Sequence, residues 1–408
     1  MSFHHTTLPN GLTLLAELHP TMQSVAAGFF VRAGSRDEEP VDAGVSHFLE
    51  HMAFKGRGEV TADDVNRRFD EIGASYNAST SEEVTTYYAG VLPEYLGEAV
   101  DLLSVLMRPD LRDEDFEVEK QVILEEIGMY EDMPPFVAYE RLMGTHFAGH
   151  PLGHSVLGST RSVTDLTSDR MRAYHAARYS PGNLVLAVSG NTSWEEVQHL
   201  AAKHCDWPAG EPVDRTTDEA QPGGGDSFAV REDQLIQTVA QAAPAPAATD
   251  RLRAAAELVA VAVGDDGGSR LYWDLVDPGT AESVELSYSD YDGSGAWMMF
   301  LSAIPQRAAD CVARVSDLFA AVNADGLTED ELERAKNKTA SRLVLQSERP
   351  MGRLGALTTN WMYRGEYRTV DEELSEVRGV TPADVRELLD RYPLSMRTTV
   401  GVGPLASL

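Results

Sequence analysis

Short apolar runs of strand length, Gly11 to Glu17 and Val25 to Arg32, open the chain and are followed by stretches in which apolar positions recur every three to four residues. The first pattern predicts strands and the second amphipathic helices. Two helices stand out. Ala43 to Lys55 reads as a helix that stops near Gly56, and Asp113 to about Tyr130 reads as a longer one with an acidic first turn, where carboxylates suit the helix dipole.

The longer pattern occurs twice. Asp101-Leu-Leu followed by Asp113-Glu-Asp-Phe-Glu-Val-Glu-Lys120 matches Asp317-Leu-Phe followed by Glu329-Asp-Glu-Leu-Glu-Arg-Ala-Lys336, and both blocks are displaced by 216 residues without a gap. Dipole preference alone gives two helices acidic starts but not shared spacing, so the repeat points to an internal duplication. Between the copies, Gly210 to Asp226 is rich in Pro, Gly and charge and lacks apolar periodicity, as a linker does. The expected organisation is an α+β protein of two similar α/β lobes: an N-terminal lobe over 1–209, a linker over 210–226 and a C-terminal lobe over 227–408.

At 408 residues, with 43% hydrophobic and 24% charged positions, the composition suits two globular domains of about 200 residues each. No run approaches the ~18 to 20 apolar residues that cross a bilayer, so no membrane association is expected. The N-terminus has neither a basic start nor an apolar stretch, so no signal peptide is expected. Cys205 and Cys311 fall in different lobes and read as inert thiols of a bacterial cytoplasmic protein. The net charge of -31 excludes nucleic acid, whose phosphates need clustered Lys and Arg. The acidity fits either a solvated outer surface or a chamber wall that attracts basic peptides.

Candidate chemistry is concentrated in the first lobe, because His204 is the last histidine and Arg342 stands at the repeat position of Glu126. Within the shorter helix, His47 and His51 are four apart and project from one face, so neutral imidazoles can reach one Zn²⁺ at about 2.0 to 2.1 Å. Glu50 lies in the same arc, where a carboxylate can accept a proton from water beside the metal. Phe48, Leu49 and Met52 face the other way and are expected to pack. The sequence is an H-x-x-E-H motif, the reverse of H-E-x-x-H. A pair of histidines so spaced can also cap carbonyls without a metal. A third ligand is expected from the acidic helix, where Glu119 and Glu126 share a face and periodicity does not choose between Glu125 and Glu126.

The chain resembles the pitrilysin family of inverted-motif zinc peptidases, in the short bacterial branch related to mitochondrial processing peptidase. The resemblance runs through Leu8-Pro-Asn-Gly-Leu12, Gly34-Ser-Arg-Asp-Glu38, His47 to Gly56, Asn77-Ala-Ser-Thr80 with Glu83, Thr85 and Tyr87, and Glu119 to Glu126. It continues in Pro151-Leu-Gly153, Leu157-Gly158, Tyr179-Ser-Pro-Gly-Asn183 and Val402-Gly-Pro404. It implies a processing-peptidase-like fold with one Zn²⁺ per chain, held by His47, His51 and a glutamate at a set distance. The 74 residues between His51 and Glu126 select Glu126. By the same resemblance Glu50 is the general base, Glu119 supports a ligand from behind, and Asn77, Ala78, Ser79 and Thr80 form an edge strand that binds peptide substrates through main-chain hydrogen bonds.

One departure is visible. Active members of the family carry an arginine and a tyrosine seven apart after a Ser-Arg-Leu helix start in the second half. Here Ser269-Arg-Leu271 is followed by a segment with neither residue at the required places, and Pro278-Gly279 reads as a turn. Tyr288 and Tyr291 lie further on, without an assigned role. The implied function is a zinc endopeptidase subunit completed by a homologous partner that supplies the Arg/Tyr pair in a heterodimer, ahead of a homodimer. The alternatives are a non-catalytic zinc-binding assembly subunit and an unrelated zinc hydrolase.

Overall fold

The computed structural model describes all 408 residues, and they fall into two compact units of similar α/β construction. The first holds a six-stranded sheet in the order Ser2–Thr7, Thr13–Leu18, Leu184–Gly190, Val25–Val31, Thr85–Val91, Ser75–Thr80. Its pairs are antiparallel except Thr13–Leu18 with Leu184–Gly190. The central strand Val25–Val31 is buried along its whole length, as its continuous apolar sequence requires. The second unit holds a five-stranded sheet in the order Ser283–Asp290, Gly295–Ala303, Gln237–Pro244, Thr398–Gly403, Gly225–Val230, whose last pair is parallel. No helix is long and apolar enough to cross a membrane.

The repeat read from the sequence is visible in the helices. Asp113–Glu131 and Glu329–Ser347 are both 19 residues long and start 216 positions apart. The helices that follow, Pro134–His146 and Pro350–Arg364, again begin 216 apart, each with proline in its first turn.

The compact units are not the sequence halves 1–209 and 227–408. Residues 128–153 of the first half belong to the second unit, and residues 345–368 of the second half belong to the first. The reason lies in those two later helices. Pro134–His146 buries Ala138, Leu142 and Met143 against Ala240, Ala242, Val400 and Val402 of the five-stranded sheet. Pro350–Arg364 buries Leu354 and Leu357 against Leu15, Ala26, Phe30 and Ala187 of the six-stranded one. Each sheet thus has part of one face covered by a helix from the other half, removing apolar surface from water that would otherwise be exposed.

The segment expected as a linker is also built into the fold. Gly210 to Gly224 has no regular structure, and Gly225 already starts a strand. Arg215 nevertheless donates to both carboxylate oxygens of Asp37 and to the Glu83 carbonyl, while Ala220 joins the apolar cluster of the second unit. The division between the units falls at Thr216. Composition could mark this stretch as irregular but not reveal that its single arginine is an anchor.

Candidate metal centre

The helix that carries the inverted motif spans Val45–Ala53, slightly shorter than its apolar periodicity suggested. It starts at Gly44, whose φ of 91° lies in the left-handed region and where a Cβ would stand 2.5 Å from the Leu157 carbonyl oxygen. Two amides at its start are satisfied from outside the helix. Buried Glu38 accepts the Gly44 N–H on one oxygen and the Ser46 N–H on the other, each at 2.7 Å. Burial pushes the Glu38 carboxyl up to about 8, opposed by these same backbone donors. Phe48, Leu49 and Met52 are fully buried, as expected, and Phe48 stacks on Phe116 of Asp113–Glu131 with ring centroids 4.7 Å apart. That contact sets the motif helix against the acidic helix.

His47, His51 and Glu126 are brought together, with candidate ligand atoms all within 4.8 Å of one another. Glu126 Oε2 lies 3.5 Å from His51 Nε2 and 3.8 Å from His47 Nε2. Tetrahedral zinc with bonds of about 2.0 to 2.1 Å places its ligand atoms about 3.3 to 3.5 Å apart, so small side-chain adjustments close the set. The same Glu126 oxygen is buried and has no hydrogen-bond partner, which is costly for a carboxylate unless a cation lies between it and the rings. These donors therefore fit a zinc ion. Glu125 is exposed and stands outside the group.

The two imidazoles are prepared differently. Burial, with His51 beside it, holds the His47 ring down to about 3, so it is neutral and has a lone pair to give. Burial also opposes protonation of His51, but its 2.8 Å hydrogen bond to Glu119 and the charges of Glu126, Glu119 and Glu50 outweigh that and raise it. With Nδ1–H donated to Glu119, His51 presents Nε2 to the metal position. Glu119 is kept ionised: burial is overcome by His51 and by an ion pair with Lys55, just past the end of the motif helix. Lys55, four residues after His51, escaped the sequence reading, because it lies in the turn after the helix and only the fold brings it to Glu119.

Glu50 is half-buried beside this group. Burial raises its carboxyl, the Thr80 hydroxyl and His51 lower it, and Glu126 raises it again, with a net upward shift. Thr80 Oγ1 donates to Glu50 Oε2 at 2.5 Å, a contact between residues 30 apart that no periodicity could reveal. Asn77, Ala78, Ser79 and Thr80 lie in Ser75–Thr80, the terminal strand of the six-stranded sheet, and Ala78 N–H donates to the Asn77 side chain at 2.9 Å.

The second half has ion pairs in place of ligands. Arg342 donates to both oxygens of Asp265, which Lys338 also contacts. After Ser269-Arg-Leu271 the chain makes a π turn over Tyr272–Val276 and then turns at Asp277-Pro-Gly279 before Ser283–Asp290. Arg270 forms a two-pronged pair with Glu331 and also donates to the Gly326 carbonyl. Tyr288 donates to the Pro246 carbonyl at 2.7 Å, and Tyr291 is buried in an apolar cluster. These side chains are committed to holding the second unit together.

Residues 13–160 match the family described as insulinase (peptidase family M16), and residues 165–339 match the peptidase M16 inactive domain. An uncharacterized zinc protease of Mycobacterium leprae is 32% identical over 98% of this chain and 92% of its own length. The uncharacterized zinc protease YmxG of Bacillus subtilis is 30% identical over 92% of this chain and 91% of its own. A solved structure of a protease from Helicobacter pylori shares the fold with a TM-score of 0.92, at 20% identity over 99% of both chains. The expectation drawn from the motifs and the match to these relatives agree: the chain belongs to peptidase family M16, the pitrilysin-type zinc peptidases.

Proposed function

We propose that this chain is the zinc-bearing subunit of an endopeptidase that hydrolyses extended peptides, with His47, His51 and Glu126 as metal ligands and Glu50 as general base. The observation that carries the reading is the unpartnered Glu126 oxygen facing both imidazole Nε2 atoms, with a carboxylate that is not part of the group beside it. A zinc ion held there supplies Lewis acidity that makes water nucleophilic near neutral pH and polarises the scissile carbonyl. Glu50 takes the proton of the attacking water and returns it to the leaving amine. Its upward shift suits that exchange, because a base poised nearer neutrality both accepts and releases a proton. Glu119 and Lys55 fix the tautomer of His51. The terminal strand Ser75–Thr80 receives an extended peptide as an added strand, which gives affinity with loose sequence demands.

The segment from Tyr272 to Ser283 lacks the arginine and tyrosine seven apart that the family resemblance implies for an active chain. We therefore read the active form as a heterodimer in which a homologous partner supplies that pair, ahead of a homodimer. The free, buried thiols of Cys205 and Cys311 suit action in the bacterial cytoplasm. The second reading, a non-catalytic zinc-binding assembly subunit, is favoured by the same missing pair. Glu50 weighs against it, because a purely structural zinc needs no general base.

Metal analysis and peptide cleavage on wild type and Glu50→Gln separate the readings. The expected result is about one zinc per chain in both proteins and cleavage only in wild type. Zinc in both with equal cleavage removes Glu50 as the base. Zinc without cleavage in any pairing favours the assembly role.

A further inference from the structure

The Thr80 side chain does something that a peptide-binding edge strand does not require. Main-chain pairing of an added peptide uses backbone groups, yet the Thr80 hydroxyl turns to Glu50 and donates to Oε2 at 2.5 Å, the length of a charge-assisted O–H···O⁻ bond. The backbone that carries the hydroxyl is held from several sides. Thr80 pairs with Thr85, the turn between them is closed by Ser81 N–H to the Val84 carbonyl at 2.9 Å, and Ser35 N–H donates to the Ser81 carbonyl at 3.2 Å. Just beyond, the Arg36 N–H donates to the Glu82 carbonyl and the Arg36 guanidinium pairs with the buried Glu83 carboxylate. A β-branched side chain on so fixed a backbone has few rotamers to choose from.

Without that donor, the Glu50 carboxylate has a different set of neighbours. Glu126, a like charge, repels it, while a cation held by the ligand group would draw it in. A carboxylate beside an open metal position can turn and become a ligand there, displacing the water it is meant to activate. A hydroxyl has one proton to donate, and here it goes to Oε2, which leaves Oε1 for water.

We infer that Thr80 is a positioning residue for the base: its hydroxyl holds Glu50 Oε2, keeps the carboxylate out of the metal's open position and presents Oε1 to the water. The inference rests on Glu50 being the base, and it ties the strand that receives the peptide to the group that starts hydrolysis. Ser79, which points its hydroxyl to Thr86 at 2.8 Å, has no such role.

The test compares Thr80→Val, nearly the same shape without the donor, with Thr80→Ser, which keeps the donor, in the zinc-loaded full chain together with any partner that activates it. Zinc content and thermal midpoint first show that each variant folds and loads. Thr80→Val should lower kcat by about 10- to 100-fold with little change in KM, the cost of a lost hydrogen bond to a charged group, and Thr80→Ser should recover most of it. The cobalt-substituted protein gives a readout without turnover: the visible absorption of Thr80→Val should change as Glu50 enters the coordination sphere, and Thr80→Ser should keep the wild-type spectrum. A wild type that never cleaves peptides removes the peptidase reading but leaves the cobalt comparison to decide the role of Thr80. An unchanged kcat in Thr80→Val, an unchanged cobalt spectrum where there is no turnover, or Thr80→Ser as impaired as Thr80→Val overturns the inference.

Discussion

Arg353, on a helix contributed by the second half of the chain, forms a two-pronged ion pair with Glu17 in the sheet of the first, at 2.9 and 2.6 Å, and both side chains are almost completely buried. Arg353 also donates to the Arg368 carbonyl, and His19 lies on the same Glu17 oxygen as Arg353 Nε. A buried pair of this kind holds one arrangement of chain segments because either charge alone in that place is strongly disfavoured. It fastens Pro350–Arg364 to a sheet that its own half does not build.

Removing one partner should therefore cost much more than removing both. Arg353→Met is expected to destabilise the chain by about 3 to 5 kcal/mol, since it leaves Glu17 buried without its main counter-charge. The double variant Glu17→Leu with Arg353→Met should recover most of that loss. Urea unfolding of the four proteins in the cycle measures it. Equal losses in the single and double variants would mean that the pair contributes no more than packing.

The same pair fixes an acid dependence. Burial raises the Glu17 carboxyl, but Arg353 and His19 overcome it and bring it down to about 2 from 4.5. A carboxyl depressed on folding adds stability that is complete above the unfolded value and is lost as pH falls through the folded one. The wild-type contribution of Glu17 should thus be constant above about pH 5 and be lost between about pH 4.5 and 2, by on the order of 3 kcal/mol, while the gap to Arg353→Met should begin to shrink at higher pH, where the unpaired buried Glu17 of the variant takes up its proton. Unfolding curves of both proteins across that range test it, and a gap that widens in acid contradicts the assignment to Glu17.

The choice of third ligand is open to a direct check. Glu126→Gln should lower zinc content sharply, because its oxygen faces both imidazoles, whereas Glu125→Gln, on the exposed side of the helix, should leave it nearly unchanged. Metal analysis of the two variants after dialysis decides between them, and the reverse pattern would put the ligand set in error.

These cases show what the sequence carried and what it did not. The strand at Val25, the motif helix and the acidic helix were legible because each has a local period, and the duplication because it preserved spacing over 216 residues. The candidate ligands followed from the i, i+4 spacing of His47 and His51, although the preference for Glu126 over Glu125 came from likeness to a family. The exchange of helices between units was not legible, because Pro134–His146 and Pro350–Arg364 have ordinary amphipathic patterns and nothing local says which sheet they cover. Nor were the Glu38 cap, the Arg215 anchor or the Thr80 donor, each of which depends on tertiary placement of a common residue type.

The isolated chain should bind zinc yet cleave peptides poorly, and gain activity on adding an unlike homologous subunit. The first half presents a complete candidate set in His47, His51, Glu126 and Glu50. The second half lacks, over Tyr272 to Ser283, the arginine and tyrosine seven apart that the resemblance led us to expect after Ser269-Arg-Leu271. Nearby groups do not substitute: Arg270 is taken up by Glu331 and Gly326, Tyr288 by the Pro246 carbonyl, and Tyr291 is buried among apolar side chains. Loss of one such donor typically costs ~10²- to 10³-fold in turnover, so a partner that restores the pair should produce a large effect. That partner should carry an arginine and a tyrosine seven apart in its second half and need not carry the zinc motif. Cleavage of an unfolded peptide by the chain alone, by the candidate partner alone and by the mixture measures the gain. Replacing the arginine of the partner should then abolish the gain while the zinc content of this chain stays the same. Full activity of the homogeneous chain, unaffected by any partner, would refute the division of roles and return the search for the missing donor to this chain.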